Sequence, residues 1–207
     1  MPEPRPETHR PAAPQRRELT DPREMRAMAH PLRLRLMELL VLAGPLTATQ
    51  CAERVGESPA NCSFHLRTLA RYGFVEEAEG GTGRQRPWRA IPRSHYWGEG
   101  PDQPTALRRA GRELSDLLLT RDLARLEQWQ QERDAEPQQW REAALHVTAS
   151  VLWLTAEELD AIRVEVLALL DRYGPRLADP DIRPPASRPV AMIAHLFPLL
   201  DTEAGDA

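Results

Sequence analysis

The chain has 207 residues and no lysine: all 27 of its basic residues are arginine. With the abundance of alanine and proline, that absence reads as the codon bias of a GC-rich genome and carries no mechanistic weight. Cysteine is also scarce. Cys51 and Cys62 are the only two, too few to frame a disulfide-stapled fold and compatible with a reducing compartment. No apolar run approaches the ~20 residues needed to cross a bilayer, and the longest candidate, Val190–Leu200, is broken by His195 and Pro198. The first fifteen residues hold five prolines and mixed charges where a secretory leader needs an apolar core. No membrane partner is expected, and the expected location is the cytoplasm.

What is present is unevenly spread. The net charge of −4 conceals two halves of opposite sign: Met1–Gly98 carries 15 Arg against 11 acidic residues, Glu99–Ala207 12 against 20. Attraction to phosphate is felt over about a Debye length, ~8 Å, so a basic half can hold nucleic acid while an acidic half stays in solvent. Composition and length suit two modules of similar size.

Residues 1–20 are Pro-rich, charged and aperiodic, which predicts a disordered arm. Helix grammar starts at Asp21-Pro22-Arg23-Glu24, a capping carboxylate followed by proline at the first helical position. A second helix follows His30-Pro31, with Leu32, Leu36, Leu39, Leu40 and Ala43 on one stripe until Gly44-Pro45. Thr47-Ala48-Thr49-Gln50 is a capping box opening a short helix to Val55, and Gly56 ends it. Ser58-Pro59 opens the next, which runs to Tyr72 and stops at Gly73. Phe74–Glu79 and Pro87–Ile91 then read as a hairpin around a glycine-rich tip, Gly80–Gly83. These elements are expected to form one domain over 21–98. A long dimerisation or linker helix is expected over 104–135, with Leu107, Ala110, Leu114, Leu117, Leu118, Leu123, Leu126 and Trp129 apolar.

Beyond it, Leu145, Val147, Ala149, Val151 and Trp153 alternate with polar residues, the period of a half-buried strand. Thr155–Glu158 caps a helix carrying Leu159, Ile162, Val166, Leu169, Leu170 and Tyr173, and Pro189–Phe197 reads as another strand. The expected fold class is mostly α with small β (α+β): a winged helix-turn-helix, a long helix, and a strand-helix-strand module over 141–200 for dimerisation or effector response.

Projected at ~100° per residue, helix 59–72 places Cys62, Leu66 and Leu69 on one face. Ala60, Phe64, Arg67 and Arg71 fall on the other, flanked by Asn61 and Ser63. An Arg fork can bond guanine O6 and N7, Asn can pair with adenine, and an exposed Phe can meet a thymine methyl. The preceding helix would brace this reader as the first helix of a helix-turn-helix does. Arg84 and Arg86, beside three glycines, suit phosphate or minor-groove contact. The candidate DNA-binding residues are Ser58, Pro59, Ala60, Asn61, Ser63, Phe64, Arg67, Arg71, Arg84 and Arg86.

At these residues the sequence resembles the ArsR-type winged helix-turn-helix regulators of bacteria. Met28-Ala29-His30-Pro31-Leu32-Arg33-Leu34-Arg35-Leu36-Met37 is similar to the family's first helix, and Ser63 through Val75 to its recognition helix and entry to the wing. The resemblance covers about Leu19–Pro92. It implies a dimeric transcription regulator, more often a repressor, on a pseudo-palindromic double-stranded DNA operator. Metal-sensing members carry a Cys-x-Cys pair or clustered His and Asp, and neither pattern occurs here, so no metal and no cofactor are expected. The appended strand-helix-strand resembles an extra domain of some actinobacterial relatives.

The remaining signals have ordinary explanations beside functional ones. Cys62 reads as core filler, since redox sensing needs an exposed thiolate. His65 lies at the edge of the buried face, in a structural or phosphate-contacting role. Gly80–Gly83 lacks the Lys-Ser/Thr ending of a phosphate loop. Trp129, His146, Trp153 and His195 are candidates for a small-molecule effector site, against the plainer reading of surface histidines and a shared aromatic core or dimer interface. No nucleophile, base and orienting group assemble from neighbouring motifs, so no enzyme is expected. The alternative from another class is a protein-interaction adaptor using the winged helix and the acidic module to bind another regulator.

Overall fold

A computed structural model of the chain describes residues 16–80, 86–98, 100–145 and 151–199. The element order is β1 (Arg16–Glu18), α1 (Pro22–Met28), α2 (Pro31–Ala43), α3 (Ala48–Val55), α4 (Pro59–Arg71), β2 (Val75–Glu77), β3 (Trp88–Ala90), β4 (Ser94–Tyr96), α5 (Thr105–Glu132), α6 (Gln138–Ala143), α7 (Ala156–Tyr173) and α8 (Pro175–Ala178), with single 3-10 turns at Arg133–Ala135 and Pro180–Ile182. Among the described residues no helix is long and apolar enough to cross a membrane.

The first four helices start where their side chains satisfy free backbone N–H groups. Arg23 N–H donates to Asp21, Leu32 N–H to His30 Nδ1 at 3.2 Å, and Asn61 N–H to Ser58 Oγ at 3.1 Å. Thr47 and Gln50 close a reciprocal capping box. Gly56 ends α3 in the left-handed region at φ 71°, which an L side chain would strain. Gly73, at φ 72°, turns the chain so that the Arg17 guanidinium reaches Tyr72 O at 2.8 Å.

The sheets are small. β2 and β3 pair antiparallel, Val75 opposite Ala90 and Glu77 opposite Trp88. The hairpin is joined to the helices by Leu46, which exchanges two backbone hydrogen bonds with Trp88 at 3.0 and 2.8 Å. β1 lies parallel to β4, Arg16 opposite Ser94. This corrects the expectation of disorder over the whole of 1–20. Residues 16–18 are a strand, and Leu19 behind them is buried in the core. A three-residue strand is too short to show periodicity, and its partner lies more than seventy residues away; residues 1–15 are outside the described residues.

One core gathers Met25, Leu36, Leu40, Leu66, Leu69, Phe74 and Val75 with Leu107, Ala110 and Leu114 of α5. Gly98 therefore does not bound the first core, because the N-terminal half of α5 completes it. The C-terminal part differs from expectation more sharply. α7 and its capping box are present, yet 151–154 and 189–197 form no strand, and 146–150 lie outside the described residues. A strand needs a neighbour to take its N–H and C=O groups. Among the described residues no segment is placed to provide one.

Candidate nucleic-acid interface

The two faces of α4 are cleanly divided. Cys62, Leu66 and Leu69 are fully buried against α2 and α3, while Ser58, Pro59, Ala60, Phe64, Arg67 and Arg71 are exposed and Asn61 and Ser63 half-buried. Phe64 leaves 59% of its surface in solvent, uncommon for a large apolar ring on an otherwise well-packed helix. Asn61 Nδ2 donates to Glu57 at 2.9 Å, so its amide is held at the helix start. The eight α4 candidates thus share one outward surface.

Behind that surface lies a cluster that sequence reasoning did not assemble. The His30 and His65 rings lie 4.5 Å apart with their planes tilted by 39°, and Arg33 Nη1 lies 3.3 Å from His65 Nδ1. The same guanidinium donates to the carbonyls of Ala27 and Arg26. Arg33 thereby joins the end of α1, α2 and α4. Burial first, then the charges of His30 and Arg33, lower the His65 pKa; burial and then Arg33 lower that of His30. Both shifts favour the neutral rings at this contact. The His-Pro and His-Leu dipeptides were visible in sequence, but a contact across 35 residues has no local signature.

The two thiols are inert. Burial, followed by the neighbouring Cys62, pushes Cys51 up to about 11, and burial also raises Cys62, leaving little thiolate to react. Among the described residues no cluster of His, Cys, Asp or Glu could hold a metal ion.

On the hairpin, Arg86 Nη1 donates to Glu77 at 3.0 Å, and Arg89 pairs with Glu76 at 2.7 Å. Arg84 lies outside the described residues. In the isolated chain Arg86 is therefore turned onto its own hairpin, and it would have to leave Glu77 to reach a phosphate. The exposed character of the pair makes that exchange cheap.

The effector candidates do not converge in the open groove beside α7. That space, about 570 Å³, lies between one face of α7 and residues 192–196, and neither Trp129, Trp153 nor His195 lines it. Trp129 is half-buried on α5, Trp153 and His195 are exposed, and His146 is outside the described residues.

The geometry is matched by an independent comparison: residues 28–78 match the family model described as a helix-turn-helix domain. The match covers about a quarter of the chain. The matched span takes in α2, α3, α4 and β2 and lies inside the stretch, about Leu19–Pro92, that carries the sequence resemblance to ArsR-type regulators. Nothing among the curated proteins matches the chain. Among solved structures it is similar to the homodimeric winged helix-turn-helix DNA-binding domain, fragment 1–100, of a possible ArsR-family transcriptional regulator from Mycobacterium bovis. That similarity has 22% identity, covers 49% of this chain and 75% of that one, and has a TM-score of 0.31. Within the matched stretch α3 packs against α4, whose free face points outward.

Proposed function

We propose that the chain is a sequence-specific DNA-binding transcription regulator of the ArsR type, acting as a homodimeric repressor. One observation carries this reading: the outward face of α4 gathers Phe64, Arg67 and Arg71 behind a Ser-Pro helix start, while its inner face is sealed in the core. An arginine fork and an aromatic edge on a helix of this width suit the major groove. The basic balance of the first half favours phosphate, and the acidic second half stays away from it.

A twofold dimer would set two α4 helices about one DNA turn apart, ~34 Å, on a pseudo-palindromic operator. The exposed leucines of α5, Leu119 and Leu123, support a subunit contact along that helix. The direction of control follows the commoner habit of the resembling family.

The test is selection of duplexes from a random pool by the purified chain at moderate salt, followed by titration of Arg67→Ala on the selected duplex. The expected loss is about 1–3 kcal/mol of binding, with the loss confined to a subset of base positions. A chain that selects no sequence would fit the adaptor reading instead, and an Arg67→Ala chain of unchanged affinity would remove α4 from the groove.

A further inference from the structure

The C-terminal third is apolar without being packed. None of the residues of α7 is buried, and most of the exposed large apolar side chains among the described residues lie beyond Ala144, led by Trp153 at 88%, Leu145 at 87% and Val190 at 77%. Leu159, Val166 and Leu170, on one face of α7, look across the open groove at Met192, Ala194 and Leu196. Those three alternate along the chain, so the segment presents one side to the helix as a strand would. Among the described residues no other segment pairs with its backbone.

We infer that residues 191–197 pair antiparallel with the same segment of a second copy of this chain, forming a sheet across the molecular twofold with an α7 from each protomer on one side. Four features select this occupant. The stretch from Pro189 to Leu200 has no Asp, Glu or Arg, so a strand laid against its own copy meets no like charge. Pro189 and Pro198 lack the N–H that a ladder needs, and they end it on both sides. Opposed residues of an antiparallel pair share a face. Keeping Met192, Ala194 and Leu196 toward the helices therefore sets Ala194 opposite its own copy and Met192 opposite Leu196, a register whose ends fall on Val190 and Pro198. Finally, a stable interface takes about 800 Å² from each partner. The exposed side chains of 151–154, α7 and 190–197 offer on the order of 1,000 Å², with aromatics at roughly 150–250 Å² each.

The sheet deepens the twofold assembly proposed above by naming where the copies join, and it is tested apart from DNA reading. Ala194→Cys in the full chain places two thiols at the axis, while Cys51 and Cys62 remain buried. Under mild oxidation by glutathione disulfide, most of this variant is expected to become a disulfide-linked dimer. Gln139→Cys, exposed on α6, is the control and is expected to stay uncrosslinked. Ala194→Pro removes the central N–H and is expected to weaken self-association at least tenfold in sedimentation equilibrium, with helical circular dichroism unchanged. Arg67→Ala combined with Ala194→Cys keeps the crosslink, so loss of operator binding and loss of the sheet are read separately. No crosslink at Ala194, equal crosslinking of the control, or unchanged association of the proline variant would each overturn the inference. A monomeric chain whose groove takes up an apolar small molecule would overturn it as well.

Discussion

Phe64 and Arg67 are neighbours on α4 with different energetic accounts. Phe64 buries too little surface to stabilise the fold appreciably, so Phe64→Ala should leave the thermal midpoint nearly unchanged, a stability change within about 0.5 kcal/mol. Its duplex affinity should fall in the same titration, a separation that a purely structural ring would not give. His95 behaves in the opposite way. Its ring packs edge-on against Phe74 at 5.0 Å, its Nε2 is buried without a hydrogen-bond partner, and burial, then Arg17 and Arg93, lower its pKa to about 4. A histidine held neutral in the fold takes up its proton at higher pH when unfolded, so the unfolded chain binds more protons between 6.5 and about 4. Stability is then fully present above 6.5 and declines as pH falls through that window; His30 and His65 act in the same direction. Discounted for partial exposure, the His95 contribution is on the order of 1–2 kcal/mol. Urea titrations of His95→Phe at pH 7 and pH 4.5 should show a smaller difference between the two pH values than the parent does.

The exposed residues of α4 were legible in the sequence because a helix projection needs only local spacing, and the caps at Asp21, His30, Thr47 and Ser58 fix where each helix begins. β1 was not legible, since three residues flanked by a Pro-rich stretch acquire their meaning from β4, far along the chain. α5 was legible as a helix and not as a component of the first core, because a leucine stripe does not say which partner it meets. Leu114 is fully buried among Met25 and the other core residues, whereas Leu123 is half exposed. Leu114→Ala is therefore expected to cost about 2–5 kcal/mol and Leu123→Ala far less in the isolated protomer, measured by urea unfolding followed through tryptophan fluorescence. Equal costs would mean that the helix is not anchored at its N-terminal half. The alternation around Val151 and Pro189–Phe197 was equally visible, but alternation encodes a willingness to pair without supplying the neighbour.

Across the molecule, the two halves differ in charge and in what holds them. Exposed ion pairs, Arg16 with Asp171 at 2.7 Å and Arg188 with Glu136 at 2.6 Å, link distant parts of the chain, and solvent screening leaves such pairs little weight in stability. Salt should act most visibly on DNA binding. Each phosphate neutralised contributes about −0.9 to the slope of log K against log salt, so Arg67→Ala with Arg71→Ala should flatten that slope if both guanidiniums meet phosphate. If both instead read bases, affinity falls while the slope stays closer to that of the parent.

Helix α5 spans 28 residues, a rod about 42 Å long at 1.5 Å per residue. Its near end is clamped by Leu107, Ala110 and Leu114, and farther along the Arg125 guanidinium is tethered to Glu38 of α2. Arg125 is the farther of these anchors, and the helix continues about 10 Å beyond it to Glu132. The N-terminal half of α5 packs on α1, and Arg33 joins the end of α1 to α4, so the rod and the outward helix stand on the same footing.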